Sequence, residues 1–78
     1  MTPRKSTLRD ERRPHERLSP VMYMIARRIV IGKPRAETLK ELGIHRTTYV
    51  RHVQRILRRM ELKDIHALVA YAKYWGVF

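Results

Sequence analysis

Between Gly43 and Met60 the chain reads GIHRTTYVRHVQRILRRM, a glycine-marked turn followed by a segment that is apolar on one helical face and basic on the other. Tyr49, Val53, Ile56, Leu57 and Met60 recur at the spacings of a core-facing stripe. Arg51, Gln54, Arg55, Arg58 and Arg59 take the opposite side. Such a helix can pack against a core and bind phosphate at once. An ordinary solvated face mixes charge signs, and the one-sided bias here favours a surface for nucleic acid.

The rest of the composition points the same way. Eighteen Lys and Arg stand against seven Asp and Glu, a formal charge of +11. Thirteen of the eighteen are Arg, whose planar fork matches phosphate oxygens and guanine edges. With 78 residues and no cysteine, the chain has room for one small domain, and disulfide, thiolate-zinc and thiol-catalysis chemistry are closed to it. His15, His45, His52 and His66 lack metal-ligand spacing, so neither a metal nor another cofactor is expected. The longest apolar stretch is interrupted by Arg27 and Arg28, and the basic N-terminus lacks the apolar segment of a secretory signal. These features predict a cytoplasmic protein with no membrane partner.

Residues 1–17 carry six basic and three acidic side chains and two prolines, with Leu8 the sole sizeable apolar residue after Met1. This is too little to build core, and it predicts a flexible basic arm that either follows DNA or is inert. Residues 18–78 form the expected domain. Ser19-Pro20 supplies an N-cap and a proline at the first helical position, opening a helix through about Ile31 that stops at Gly32, with Met22, Ile25, Ala26 and Ile29 as its core stripe. A second helix is expected from about Pro34 to Gly43, with Ala36, Leu39 and Leu42 inward and Lys33, Arg35 and Lys40 outward. A third runs from about Thr47 to Met60. Asp64 then caps a fourth, from about Ile65 to Trp75. Two helices joined by a tight glycine turn, the second basic and amphipathic, form a helix-turn-helix, whose second helix enters the major groove.

On these residues the chain resembles the LuxR/GerE-type DNA-binding domain from Leu18 to Phe78 without gaps. Leu18-Ser19, Gly32, Glu37, Leu42-Gly43-Ile44, Thr48, His52-Val53, Ile56-Leu57 and the closing KDIHALVAYAKYWGVF are similar to the family's pattern. The resemblance implies an all-α, four-helix fold and a homodimer on double-stranded DNA. It places base contacts on Val50, Arg51 and Gln54, and the side-chain chemistry agrees: Arg51 can pair with guanine O6 and N7, Gln54 with adenine, and Val50 can touch a thymine methyl. For Arg51 the alternative is a phosphate contact, and for Val50 it is plain helix filling. Arg46, Thr47, Thr48, His52, Arg55, Arg58, Arg59 and Lys63 are expected on phosphates, where they fix register rather than sequence. His52 has no nucleophile, carboxylate pair or metal spacing around it, and no enzyme is expected. In the family the fourth helix forms the two-fold contact, which implies a dimer interface of Ile65, Leu68, Val69, Ala72 and Trp75; extra packing on the first helix is the alternative.

The chain departs from the family at several positions. Val21, Met22 and Met24 stand where the family has charged residues that pair within the first helix, and Arg28 stands where a core Leu is usual. The apolar run from Val21 to Ile25 is more than one helix buries in so small a domain, so Val21, Met22 and Met24 are either a partner surface or a repacked helix. Thr38-Leu39 reverses the usual order of aliphatic and small residues, and Pro34 and His45 replace capping residues. Family members commonly carry a receiver or ligand-binding domain, for which this length leaves no room, so control by phosphorylation or by a small ligand is not expected. The reading is a sequence-specific transcriptional regulator. Its alternative is a small interaction protein that joins RNA polymerase or another regulator through the first or fourth helix.

Overall fold

The computed structural model describes residues 13–78. Four α-helices follow a short 3-10 turn, Pro14–Arg17: α1, Pro20–Val30; α2, Arg35–Leu42; α3, Arg46–Met60; and α4, Ile65–Trp75. Among the described residues there is no strand, and no helix is long and apolar enough to cross a membrane.

Local chemistry sets most of the boundaries. The Ser19 hydroxyl accepts from the Met22 N–H at 3.3 Å with Pro20 at the first helical position, and Asp64 Oδ1 accepts from the Ala67 N–H at 2.9 Å. Each such cap stabilises a helix start by about 1 kcal/mol. His45 and Pro34 occupy the other two caps and make no side-chain capping bond. Helix α2 ends at Gly43 with φ 64°, a left-handed conformation that favours glycine. Helix α3 ends the same way at Glu61, φ 58°, a non-glycine residue whose carboxylate takes an ion pair from Arg17 at 3.2 Å.

Helix α1 is the hub and packs against α2, α3 and α4. The buried core consists of Met22, Ile25 and Ala26 from α1, Ile56 and Met60 from α3, and Leu68 and Ala72 from α4. Ile29, Tyr49, Val53, Leu57 and Ile65 are half-buried against it. Arg28 is half-buried as well, and its guanidinium pairs with the Glu41 carboxylate, tying α1 to α2.

Four expectations need correction. In α2 it is Thr38, 1% exposed, that turns inward, while Ala36 is exposed. At about 100° per residue, Thr38, Leu39 and Leu42 share one arc of this short helix, and Ala36 falls outside it. Met22 is core at 4% exposure, so Val21 and Met24 alone of the proposed partner residues face outward, at 44% and 40%. In α4, Leu68 and Ala72 are enclosed by the protomer itself, and Ile65 is packed on the same core. Ile65, Leu68 and Ala72 lie on one helical stripe, which the protomer uses to cover its own core, whereas Trp75 of the expected set is 41% exposed.

The fourth correction concerns the arm, expected to run to residue 17. Residues 1–12 lie outside the described residues, but Arg13 to Arg17 are docked. His15 lies against α4, where the Tyr71 hydroxyl accepts from its backbone N–H at 3.3 Å and sits 2.9 Å from its Nδ1. The Arg13 guanidinium stacks 4.7 Å above the Trp75 ring. Arg17 and Arg59 each donate to the other's backbone carbonyl at 3.2 Å, joining the turn to the end of α3. The packed body therefore includes Arg13 to Arg17, ahead of Leu18.

Candidate nucleic-acid interface

The angle between α2 and α3 is set in three residues. The N–H groups of Gly43 and Ile44 both turn back to the Leu39 carbonyl, and the Ile44 side chain packs on the core. This closes α2 and aims the chain into α3 at His45. Helix α3 then buries Ile56 and Met60 against α1 and leaves its opposite side open.

Helix α3 carries five arginines, at 46, 51, 55, 58 and 59, all exposed, and contains no carboxylate; Arg51, Arg55 and Arg58 lie on the open side. Val50, Arg51 and Gln54 are exposed together within about 100° of arc, with Arg51 opposite the core stripe and Val50 near its edge. Thr47, Arg55 and Arg58 share this face and surround the three. The structure thus brings the expected base-reading residues together and frames them with charge.

The remaining expected phosphate contacts are distributed differently. Thr48, His52 and Arg59 lie on one flank of α3, toward the 3-10 turn. His52 is half-buried, with Nδ1 enclosed and without a protein hydrogen-bond partner. Arg59 is committed in part to the Arg17 carbonyl. Arg46 stands exposed at the start of the helix and Lys63 beyond its end.

Two residues of this surface were not singled out from sequence. Lys33 and Arg35, at the turn into α2, line a cleft of about 440 Å³ whose other walls include Tyr49, Val50, Val53 and Gln54. They are thereby next to the reading face although about 20 residues away in the chain. The available signal was a pair of cations flanking Pro34 at the start of the scaffold helix. Partial burial pushes the Tyr49 phenol up from its ordinary value, with the Arg35 charge pulling the other way, so the hydroxyl is neutral at physiological pH and able to donate a hydrogen bond.

Helix α4 presents His66, Ala70, Lys73 and Tyr74 to the outside, with Tyr74 81% exposed. Trp75, from the expected pairing set, is 41% exposed and borders Tyr71 and Tyr74. Among the described residues no group of three or more His, Asp or Glu is placed to hold a metal ion. No family model, curated protein or solved structure matches this chain.

Proposed function

We propose that this chain is a LuxR/GerE-type helix-turn-helix protein that binds double-stranded DNA as a homodimer and regulates transcription. The observation that carries the reading is the outer face of α3, where Val50, Arg51 and Gln54 are exposed side by side, ringed by arginines, on a helix braced from behind by α1. A helix about 10 to 12 Å across fits the major groove, and these side chains have the length and chemistry to reach base edges there. Pairing through α4 uses the residues left outside, His66, Ala70, Lys73 and Tyr74, with Trp75 at the edge. The small Ala70 lets two such helices approach closely. A two-fold pair sets two recognition helices one DNA turn apart, on a pseudo-palindrome.

Selection of bound duplexes from a random pool tests this directly. The expected result is a two-fold symmetric motif, preferred over a scrambled duplex at physiological salt. On both duplexes log K should fall against log salt by about 0.9 per phosphate neutralised. No enriched motif, with the same steep salt slope on every duplex, would leave charge-driven binding alone and remove the regulator reading.

One observation favours a second role. Val21 and Met24 on α1 and Ile31 at its C-terminal end are all at least 40% exposed. A face of this kind suits contact with RNA polymerase or another regulator. The double variant Val21→Glu, Met24→Glu is expected to fold, to keep DNA affinity and to lose regulation in a reporter strain; full regulation by a folded variant would remove this second role.

A further inference from the structure

We propose that the cleft between the turn at Gly32 and the reading face of α3 binds a small amphipathic carboxylate, aromatic or branched aliphatic, and that its occupant excludes DNA. The second half of this statement rests on the DNA-binding reading above; the first does not.

The cleft measures about 440 Å³, within the range of small-molecule sites. Its floor is hydrocarbon from three helices: Ile29 of α1, Val53 of α3 and Ile65 of α4. Lys33 and Arg35 stand at the rim, and the Tyr49 phenol and Gln54 amide complete a small polar set. The nearest carboxylate to Lys33 is Glu37, at 4.0 Å with both side chains at least 40% exposed, a contact too loose and too hydrated to cancel the rim charge.

This combination selects the ligand class. A phosphodiester or free phosphate would satisfy Lys33 and Arg35 but leave the apolar floor in water. An uncharged apolar molecule would cover the floor and partly desolvate the two cations without a counter-ion. A carboxylate on a compact apolar body does both, with the Arg35 fork and the Tyr49 hydroxyl available to its two oxygens.

The exclusion follows from shared residues. Val50 and Gln54 line the cleft and are also two of the three residues assigned to base edges. They cannot hold a ligand between them and the scaffold turn while pressed into a major groove, so ligand and duplex compete by mass action. This would give the domain a small-molecule control of its own.

The test titrates naphthalene-2-carboxylate into the full chain labelled with 15N, with naphthalene-2-carboxamide and inorganic phosphate as separate probes. The expected result is saturable carboxylate binding with amide shifts centred on Gly32, Tyr49, Val53 and Ile65. The carboxamide should bind at least tenfold more weakly, and phosphate should leave Val53 and Ile65 unmoved. Arg35→Glu and Lys33→Glu, at exposed positions, should each weaken carboxylate binding about tenfold with the remainder of the spectrum unchanged. An acidic residue in the first turn of α2 is compatible with the helix dipole. Saturating carboxylate should raise the apparent dissociation constant for the selected duplex at least tenfold.

Absent saturation, shifts centred on Tyr23 and Met24, equal binding of the carboxamide, or the same shifts from phosphate would each overturn the site. Unchanged duplex affinity at saturating carboxylate would overturn the exclusion. A chain that binds carboxylate at these residues but no duplex retains the site and overturns the exclusion together with the DNA reading. One that binds duplex but no carboxylate overturns the site alone.

Discussion

Leu68→Ala is expected to lower the unfolding free energy of the protomer by about 2 to 5 kcal/mol, the usual cost of truncating an enclosed Leu. Leu68 is fully enclosed between α1, α3 and α4, so the space it leaves has little means of closing. For a domain of this size the total stability is on the order of 3 to 10 kcal/mol, so the variant should be marginal or unfolded at 37 °C. Urea unfolding followed by circular dichroism at 222 nm reads this loss. Tyr74→Ala is the matched control. Its side chain is 81% exposed, and at dilute protein the change should alter stability by at most about 0.5 kcal/mol. If α4 pairs two copies, Tyr74→Ala should weaken the dimer in sedimentation. The reverse pattern, a stable Leu68→Ala monomer that no longer pairs, would return Leu68 to the interface.

The second large effect is expected at Arg51. Once a preferred duplex has been selected, Arg51→Ala should narrow its advantage over a scrambled duplex by about 1 to 3 kcal/mol, the discrimination carried by one good bidentate base contact. Arg58→Ala should weaken both duplexes by the same factor and reduce the slope of log K against log salt by about 1. The two residues are seven positions apart and share a face, so overall electrostatics alone predicts like behaviour. Equal losses on both duplexes for Arg51→Ala would make Arg51 a phosphate contact and leave Val50 and Gln54 to carry the reading. Both side chains are exposed, and neither change should disturb folding.

Much of the candidate site was legible before the fold, because it depends on a single helix. Helix α3 carries its own period: once Tyr49, Val53, Ile56, Leu57 and Met60 are assigned inward, the outward position of Arg51 and Gln54 follows from about 100° per residue, with Val50 at the edge of the stripe. Lys33 and Arg35 were not legible in the same way. Their place beside Gln54 depends on how the turn after α1 is laid across α3, and no local spacing encodes that.

The burial of Leu68 and Ala72 within the protomer was ambiguous in the sequence for a different reason. Leu68 and Ala72 are apolar and correctly spaced for a helix contact, but the same stripe satisfies a contact with α1 or with a second copy. Hydrophobic pattern specifies that a face is buried and is silent on what buries it. Likewise the run from Val21 to Ile25 divides between core and surface according to rotation about α1, which sends Met22 and Ile25 inward and Val21 and Met24 out.

The helices and their ends were written in local chemistry: Ser19-Pro20, Gly32, Gly43 and Asp64 act through hydrogen bonds and backbone angles spanning four or five residues, and such signals act before any tertiary contact forms. The docking of Arg13 to Arg17 had no such signal. His15 meets Tyr71 across 56 positions and Arg17 meets Arg59 across 42, so a segment too polar to build a core is held by partners that exist only once α3 and α4 are assembled. The cleft beside Gln54 belongs with it: it depends on the relative placement of helices, and packing energy between distant segments leaves no trace in any one of them.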